Sequence, residues 1–214
     1  MTRSHRYPLL ALAVALLASL ACATVTRLTQ RQPLLTPAPP PTATAEPGAA
    51  EDAGGQGPLE IEGGPTLGAP RETRIAISER KTRDLGGLTN ESYTEEEVQQ
   101  VGETFTYTAK LNQDEPLFWG YTWCATTLDI LQANLEKMKI EVSVNGAPVA
   151  LDQFYDVQFQ NDQNLFCQAY VTVIYNWPAG KTGLGIKITY TELVNDGLGD
   201  YPEGTQMFEY EVTR

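Results

Sequence analysis

The sequence predicts a mainly β fold, an antiparallel β-sandwich with one short helix over residues 71–214, carried behind an N-terminal segment of different character. Three observations point there. Apolar and polar residues alternate with period two along several short segments, one later segment is apolar on both faces, and turn-forming Asn-Gly and Pro-Gly groups fall between them.

In chain order, Ile75 with Ile77 give a first, weak strand. Glu95, Glu96 and Glu97 follow Thr94 and read as the first turn of a short helix, where acids suit the helix dipole. Phe105, Tyr107, Ala109 and Leu111 alternate with Thr106, Thr108 and Lys110. Phe118–Cys124 is a second alternating row. Leu128, Leu131, Leu135 and Met138 recur at helical spacing, with Thr126 and Asp129 as a capping box. Ile140, Val142 and Val144 then lead into Asn145-Gly146, a tight hairpin signal. Val157 with Phe159 form a weaker strand. Residues 166–175 carry Cys167, Ala169, Val171, Val173 and Tyr175 on one face and Phe166, Tyr170 and Ile174 on the other, the mark of a central strand covered on both sides. Leu184, Ile186, Ile188 and Tyr190 form another row, and Phe208, Tyr210 and Val212 close the chain. Trp177-Pro178-Ala179-Gly180 and Tyr201-Pro202-Glu203-Gly204 are two similar turns ahead of alternating strands.

The N-terminus divides the chain. Arg3 and Arg6 precede an apolar run from Leu9 to Ala21, and Ser19-Leu20-Ala21-Cys22 closes it. Residues 1 to about 24 resemble a bacterial lipoprotein precursor, with Ser19 where that pattern prefers Leu. The resemblance implies a signal peptide over 1–21, lipidation of Cys22 and a location on the outer face of the cell membrane. Two other outcomes stay open: cleavage by ordinary signal peptidase at Ala21-Cys22-Ala23, giving a secreted product, or an uncleaved anchor from Pro8 to Val25. All three place the rest of the chain outside the cell. Residues 22–70 then read as a disordered tether, built on Pro37-Ala38-Pro39-Pro40-Pro41, Gly54-Gly55-Gln56-Gly57-Pro58 and Gly63-Gly64-Pro65. Such a composition buries too little apolar surface to offset ordering the backbone.

Charge and residue usage exclude several classes. The formal net charge is −12, and removing residues 1–21, which hold two arginines and no acid, leaves −14. Such a surface repels nucleic acid, so no nucleic-acid partner is expected. The single histidine, His5, lies in the signal segment, so a mature chain lacks Ser-His-Asp and Cys-His nucleophiles and imidazole zinc sites. After Ser19 only Ser78, Ser92 and Ser143 remain. No catalytic residue, cofactor or metal is expected. Asn195, Asp196, Asp200 and Glu203 cluster as oxygen ligands could, but an acidic turn between strands explains them equally.

Outside Cys22, the cysteines are Cys124 and Cys167, and an oxidising destination favours pairing them as a disulfide. Seven or more short strands with such a pair resemble the immunoglobulin-like β-sandwiches of cell-surface proteins, although Trp123 sits beside Cys124 rather than on a strand between the cysteines. Trp119, Tyr121 and Trp123 share one strand face, opposite Phe118, Thr122 and Cys124. If Cys124 faces the core, the three rings face outward as a platform of the kind that holds sugar faces. Otherwise the helix near 128–138 covers them, or a bulge turns them inward. Functionally the sequence points to a non-catalytic, membrane-tethered extracytoplasmic binding module. The alternatives are a carbohydrate-binding surface domain or a small hydrolase working through carboxylates.

Overall fold

The computed structural model describes residues 56–214. The expected signal segment 1–21, the expected lipidation site Cys22 and the part of the expected tether up to residue 55 lie outside the described residues. The described chain opens with two short strands, β1 (Leu59–Glu60) and β2 (Thr66–Leu67), then helix α1 (Pro70–Glu79) and β3 (Arg83–Asp84). A single turn, α2 (Glu95–Val98), precedes β4 (Thr104–Lys110) and β5 (Leu117–Ala125). Helix α3 (Leu128–Leu135) leads into β6 (Met138–Val144) and β7 (Ala147–Val149). Strands β8 (Tyr155–Gln160), β9 (Phe166–Tyr175) and β10 (Lys181–Tyr190) follow. A small hairpin, β11 (Val194–Asn195) with β12 (Asp200–Tyr201), comes before the last strand, β13 (Gly204–Thr213).

One sheet has the order β1-β2-β9-β5-β3, with β8 also against β9, and the second has the order β4-β13-β10-β6-β7. Their facing side chains build one core: Leu117, Trp119 and Trp123 from β5 and Ile174 from β9 meet Val142, Val144, Leu184, Ile186, Ile188 and Tyr190. The alternating rows at 105–109, 140–144 and 184–190 therefore face inward as their period requires. The Asn145-Gly146 hairpin turns with both residues at positive φ, 50° and 78°, the type I′ geometry that matches strand twist. The sheets are not purely antiparallel. β13 runs parallel to β4, with Phe208 opposite Phe105 and Tyr210 opposite Tyr107, and β3 runs parallel to β5. Alternation reports which face is buried, but it carries no information about the direction of a partner about a hundred residues away.

Three local expectations change. Ile75 and Ile77 lie in helix α1, not in a strand. Pro70 occupies its first turn, and Glu72 reaches back to accept the Ala69 N–H at 3.1 Å. Helix α3 is capped by Thr127 rather than Thr126: Thr127 Oγ1 accepts from Ile130 N–H at 3.2 Å. Met138, expected in that helix, starts β6. Thr94 and Glu97 do form a reciprocal cap on α2, at 2.8 and 3.2 Å.

The domain also begins before residue 71. Leu67 is fully buried, and Gly68 N–H donates to Val173 C=O at 2.7 Å. A Cβ on Gly68 would stand 2.5 Å from Val173 Cγ1, so the close approach requires glycine. Gly63, at φ 65°, shapes the turn between β1 and β2. The same Gly/Pro composition that reads as a tether is here turn chemistry, and only the neighbouring strand distinguishes the two.

The central strand β9 is flanked by β5 on one side and by β2 and β8 on the other. Its inner face packs into the core. On its outer face Val173 N–H donates to Thr73 Oγ1 of α1 at 3.1 Å, so α1 is an outer cover that the sequence pattern did not disclose. β10 carries a contrasting feature. Gly183 sits exposed in mid-strand, without positive φ, and a Cβ there would meet nothing nearer than Asn145 Oδ1 at 4.0 Å. Nothing in the fold requires glycine, so Gly183→Thr is expected to stabilise the domain by about 0.5–1 kcal/mol. A lower thermal midpoint for this variant would contradict that.

Candidate functional site

Cys124 and Cys167 are directly opposite across β5 and β9, with Cα atoms 4.0 Å apart and joined as a disulfide. The bridge does not turn Cys124 toward the core. Trp119 and Trp123, on the opposite face of the same strand, are 2% and 6% exposed, and Tyr121 packs against Phe208 of the facing sheet with centroids 6.3 Å apart. The outward platform of Trp119, Tyr121 and Trp123 is thus not formed. Neighbouring strands of one sheet can be bridged on either face, so a close cysteine pair does not report which face is buried. The aromatic rings, with far more apolar area than two sulfurs, take the inside.

Two of the three rings nevertheless reach a cavity. It measures about 280 Å³, and its walls include Tyr121 and Trp123 of β5, Tyr190 at the end of β10, Tyr201 of β12 and Gln206 of β13, with Asp196 from the β11–β12 turn. Trp123 and Tyr201 pack edge to face at 4.8 Å, Tyr190 and Tyr201 lie 5.6 Å apart, and Trp123 and Tyr190 6.0 Å apart. These rings form a continuous aromatic wall. Polar groups are threaded through it. Tyr190 Oη donates to Gln206 Oε1 at 2.7 Å, and Gln206 Nε2 donates to the carbonyls of Val98 and Gln100 at 2.6 and 3.1 Å. The segment around α2 is thereby tied to the core.

Asp196, 7% exposed, accepts the Leu198 and Gly199 N–H groups on Oδ1 at 2.7 and 2.8 Å, and the Tyr201 hydroxyl contacts Oδ2 at 3.3 Å. Asn195 Nδ2 donates to Asp200 Oδ1 at 2.6 Å, and Asn195 Oδ1 accepts from Gly197 N–H at 2.8 Å. The acidic loop is thus a hydrogen-bonded turn, and among the described residues no His, Cys, Asp or Glu cluster is arranged to hold a metal ion.

Burial pushes the Tyr190 hydroxyl well above its ordinary value, as it does that of Tyr121, where the neighbouring Tyr190 adds to the effect. Both therefore serve the cavity as neutral hydrogen-bonding groups. The carboxyl that burial pushes upward, Asp156, is on β8 and takes a hydrogen bond from Gln168 Nε2, outside this cavity. A pH dependence follows. Folded-state values above the unfolded 10.0 mean that the protonated tyrosines contribute stability in full below pH 10. That contribution is lost as pH rises through the folded-state values. Unfolding free energy is expected to fall continuously above pH 10, with part of the tyrosinate absorbance appearing only as the domain unfolds. Complete tyrosinate formation in a domain that stays folded would contradict this.

Two further concavities lie elsewhere on the domain. One, about 350 Å³, lies on the outer face of the second sheet above Gly183 and Gly185, and the other, about 290 Å³, lies between α1 and β9. Sequence reasoning placed Tyr190, Asp196 and Tyr201 in separate features and did not single out Gln206. A tyrosine ending an alternating row and another opening a Pro-Gly turn were the available signals. In comparisons with known proteins, no family model, no curated protein and no solved structure matches this chain.

Proposed function

We propose that the chain is a non-catalytic binding module, exported and held at the outer face of the cell membrane through a lipid on Cys22. The observation that carries the binding reading is the cavity at the β11–β12 end of the domain, whose aromatic wall holds neutral tyrosine hydroxyls beside a single carboxylate, Asp196. The tethering reading is supported by the Arg3–Cys22 pattern and by the composition that follows it. An immunoglobulin-like architecture belongs to the same reading. What supports it is the strand order β5-β9-β8 opposite β13-β10-β6, which matches the BED and GFC orders of those domains, whereas β3 and β4 pair parallel and depart from that pattern. Fold alone assigns no ligand.

Anchoring has a direct test. Wild-type protein is expected in the membrane fraction, labelled by a fatty-acid probe, whereas Cys22→Ser accumulates as full-length precursor or leaves the membrane. Unlabelled wild type with the same size and fractionation as Cys22→Ser would overturn the lipid anchor.

A further inference from the structure

Resting on the binding-module reading, we infer that the aromatic cavity takes a neutral hydroxylated ring, a sugar residue of a glycan. Its walls present one donor and one acceptor that the fold leaves underused. The Trp123 indole Nε1–H is shielded from solvent and, among the described residues, has no hydrogen-bond acceptor. Leaving such a donor unpaired is unfavourable, and buried groups of this kind call for an explanation. Asp196, buried alongside, commits Oδ1 to two backbone N–H groups, but Oδ2 has only the long 3.3 Å contact from Tyr201. A sugar hydroxyl both donates and accepts, so adjacent hydroxyls of one ring can accept from Trp123 and donate to Asp196. A bare carbonyl or a quaternary ammonium group can satisfy at most one of them.

Ring spacing separates a sugar from an organic cation. Enclosing a cation needs aromatic faces held apart around it. Here the rings of Trp123, Tyr190 and Tyr201 pack on one another at 4.8–6.0 Å, leaving a wall and not a cage. Such a wall suits the C–H face of a sugar. The rim adds the exposed Gln163 amide and Leu198, which is 60% exposed at the edge of the cavity.

The test uses the ¹⁵N-labelled chain, whose three tryptophans give three indole resonances. It is titrated with glucose, galactose and N-acetylglucosamine, and with choline as the charged comparison. At least one sugar is expected to shift the Trp123 indole signal, assigned through Trp123→Phe, while choline does not. Asp196→Asn keeps an oxygen for the Leu198 and Gly199 N–H groups, so it is expected to fold and to bind that sugar about tenfold or more weakly. Leu198→Trp, which fills the rim, supplies a second folded variant with the same expected loss. No shift with any sugar, a shift with choline alone, or sugar affinity unchanged in both Asp196→Asn and Leu198→Trp would overturn the inference. Fatty-acid labelling and fractionation of Cys22→Ser are independent of all these outcomes, so the anchoring proposal stands or falls separately.

Discussion

Trp119→Ala is expected to destabilise the domain by about 3–5 kcal/mol, whereas Trp119→Phe costs about 1.5 kcal/mol or less. Trp119 is 2% exposed, lies across from Phe154 at a centroid distance of 5.8 Å, and belongs to the core that joins the two sheets. Alanine removes the whole ring and leaves a cavity among strands that cannot collapse to fill it. Phenylalanine gives up less volume, and it too removes the indole Nε1–H, which is buried without an acceptor among the described residues and so carries an uncompensated desolvation cost. Both variants remove that N–H, so they differ in the volume lost: the whole ring system in the Ala variant, a small part of it in the Phe variant. Urea unfolding of the three proteins tests the ordering. A loss for Trp119→Phe well above about 1.5 kcal/mol would mean that the indole N–H has a partner in solution, such as a bound water, and the reasoning from its isolation would fail.

Breaking the Cys124–Cys167 bridge is expected to cost about 4 kcal/mol, from the chain-entropy relation for a loop closed across a sequence separation of 43. Against a typical domain stability of about 5–15 kcal/mol that is a large fraction. The expected loss acts mainly through the unfolded chain. In the folded state β5 and β9 are already in register from Leu117–Ile174 to Ala125–Phe166, and the sulfurs lie on the outer face, away from the aromatic core. The double variant Cys124→Ser with Cys167→Ser should therefore keep its native circular dichroism and its buried tryptophan fluorescence while its urea midpoint drops sharply. An unchanged midpoint would remove the entropic account. A blue-to-red shift of tryptophan emission in the native state would instead show that the bridge positions the rings.

The two predictions concern opposite faces of one strand, and that strand shows where sequence reasoning stopped. Period-two alternation in Leu117–Ala125 placed Trp119, Tyr121 and Trp123 together and the cysteine opposite them, both of which hold. Which set faced the core depended on whether the disulfide joined two sheets or two neighbours within one sheet, and that is a property of the partner strand. The same limit applied to residues 59–70, where Gly63 and Pro65 serve a turn against β9, and to Ile75 and Ile77, whose spacing fits either a short strand or, with Pro70 and Glu72 ahead of them, a helix.

By itself the sequence determined that this is a mainly β chain, that the long segments around 105–109, 140–144, 166–175, 184–190 and 208–212 are strands, where the Asn145-Gly146 hairpin turns, that Cys124 and Cys167 pair, and that residues 6–214 hold no histidine. Each of these rests on interactions within a few residues, or on composition and count. Only the tertiary structure decided that β4 and β13 run parallel, that α1 covers the outer face of β9, that the tryptophans and not the cysteines face inward, and that Tyr121, Trp123, Tyr190, Asp196, Tyr201 and Gln206 line one cavity. Those outcomes depend on burial between segments up to about a hundred residues apart. The largest apolar surfaces claim the interior, and the polar atoms carried in with them must find partners there or go without.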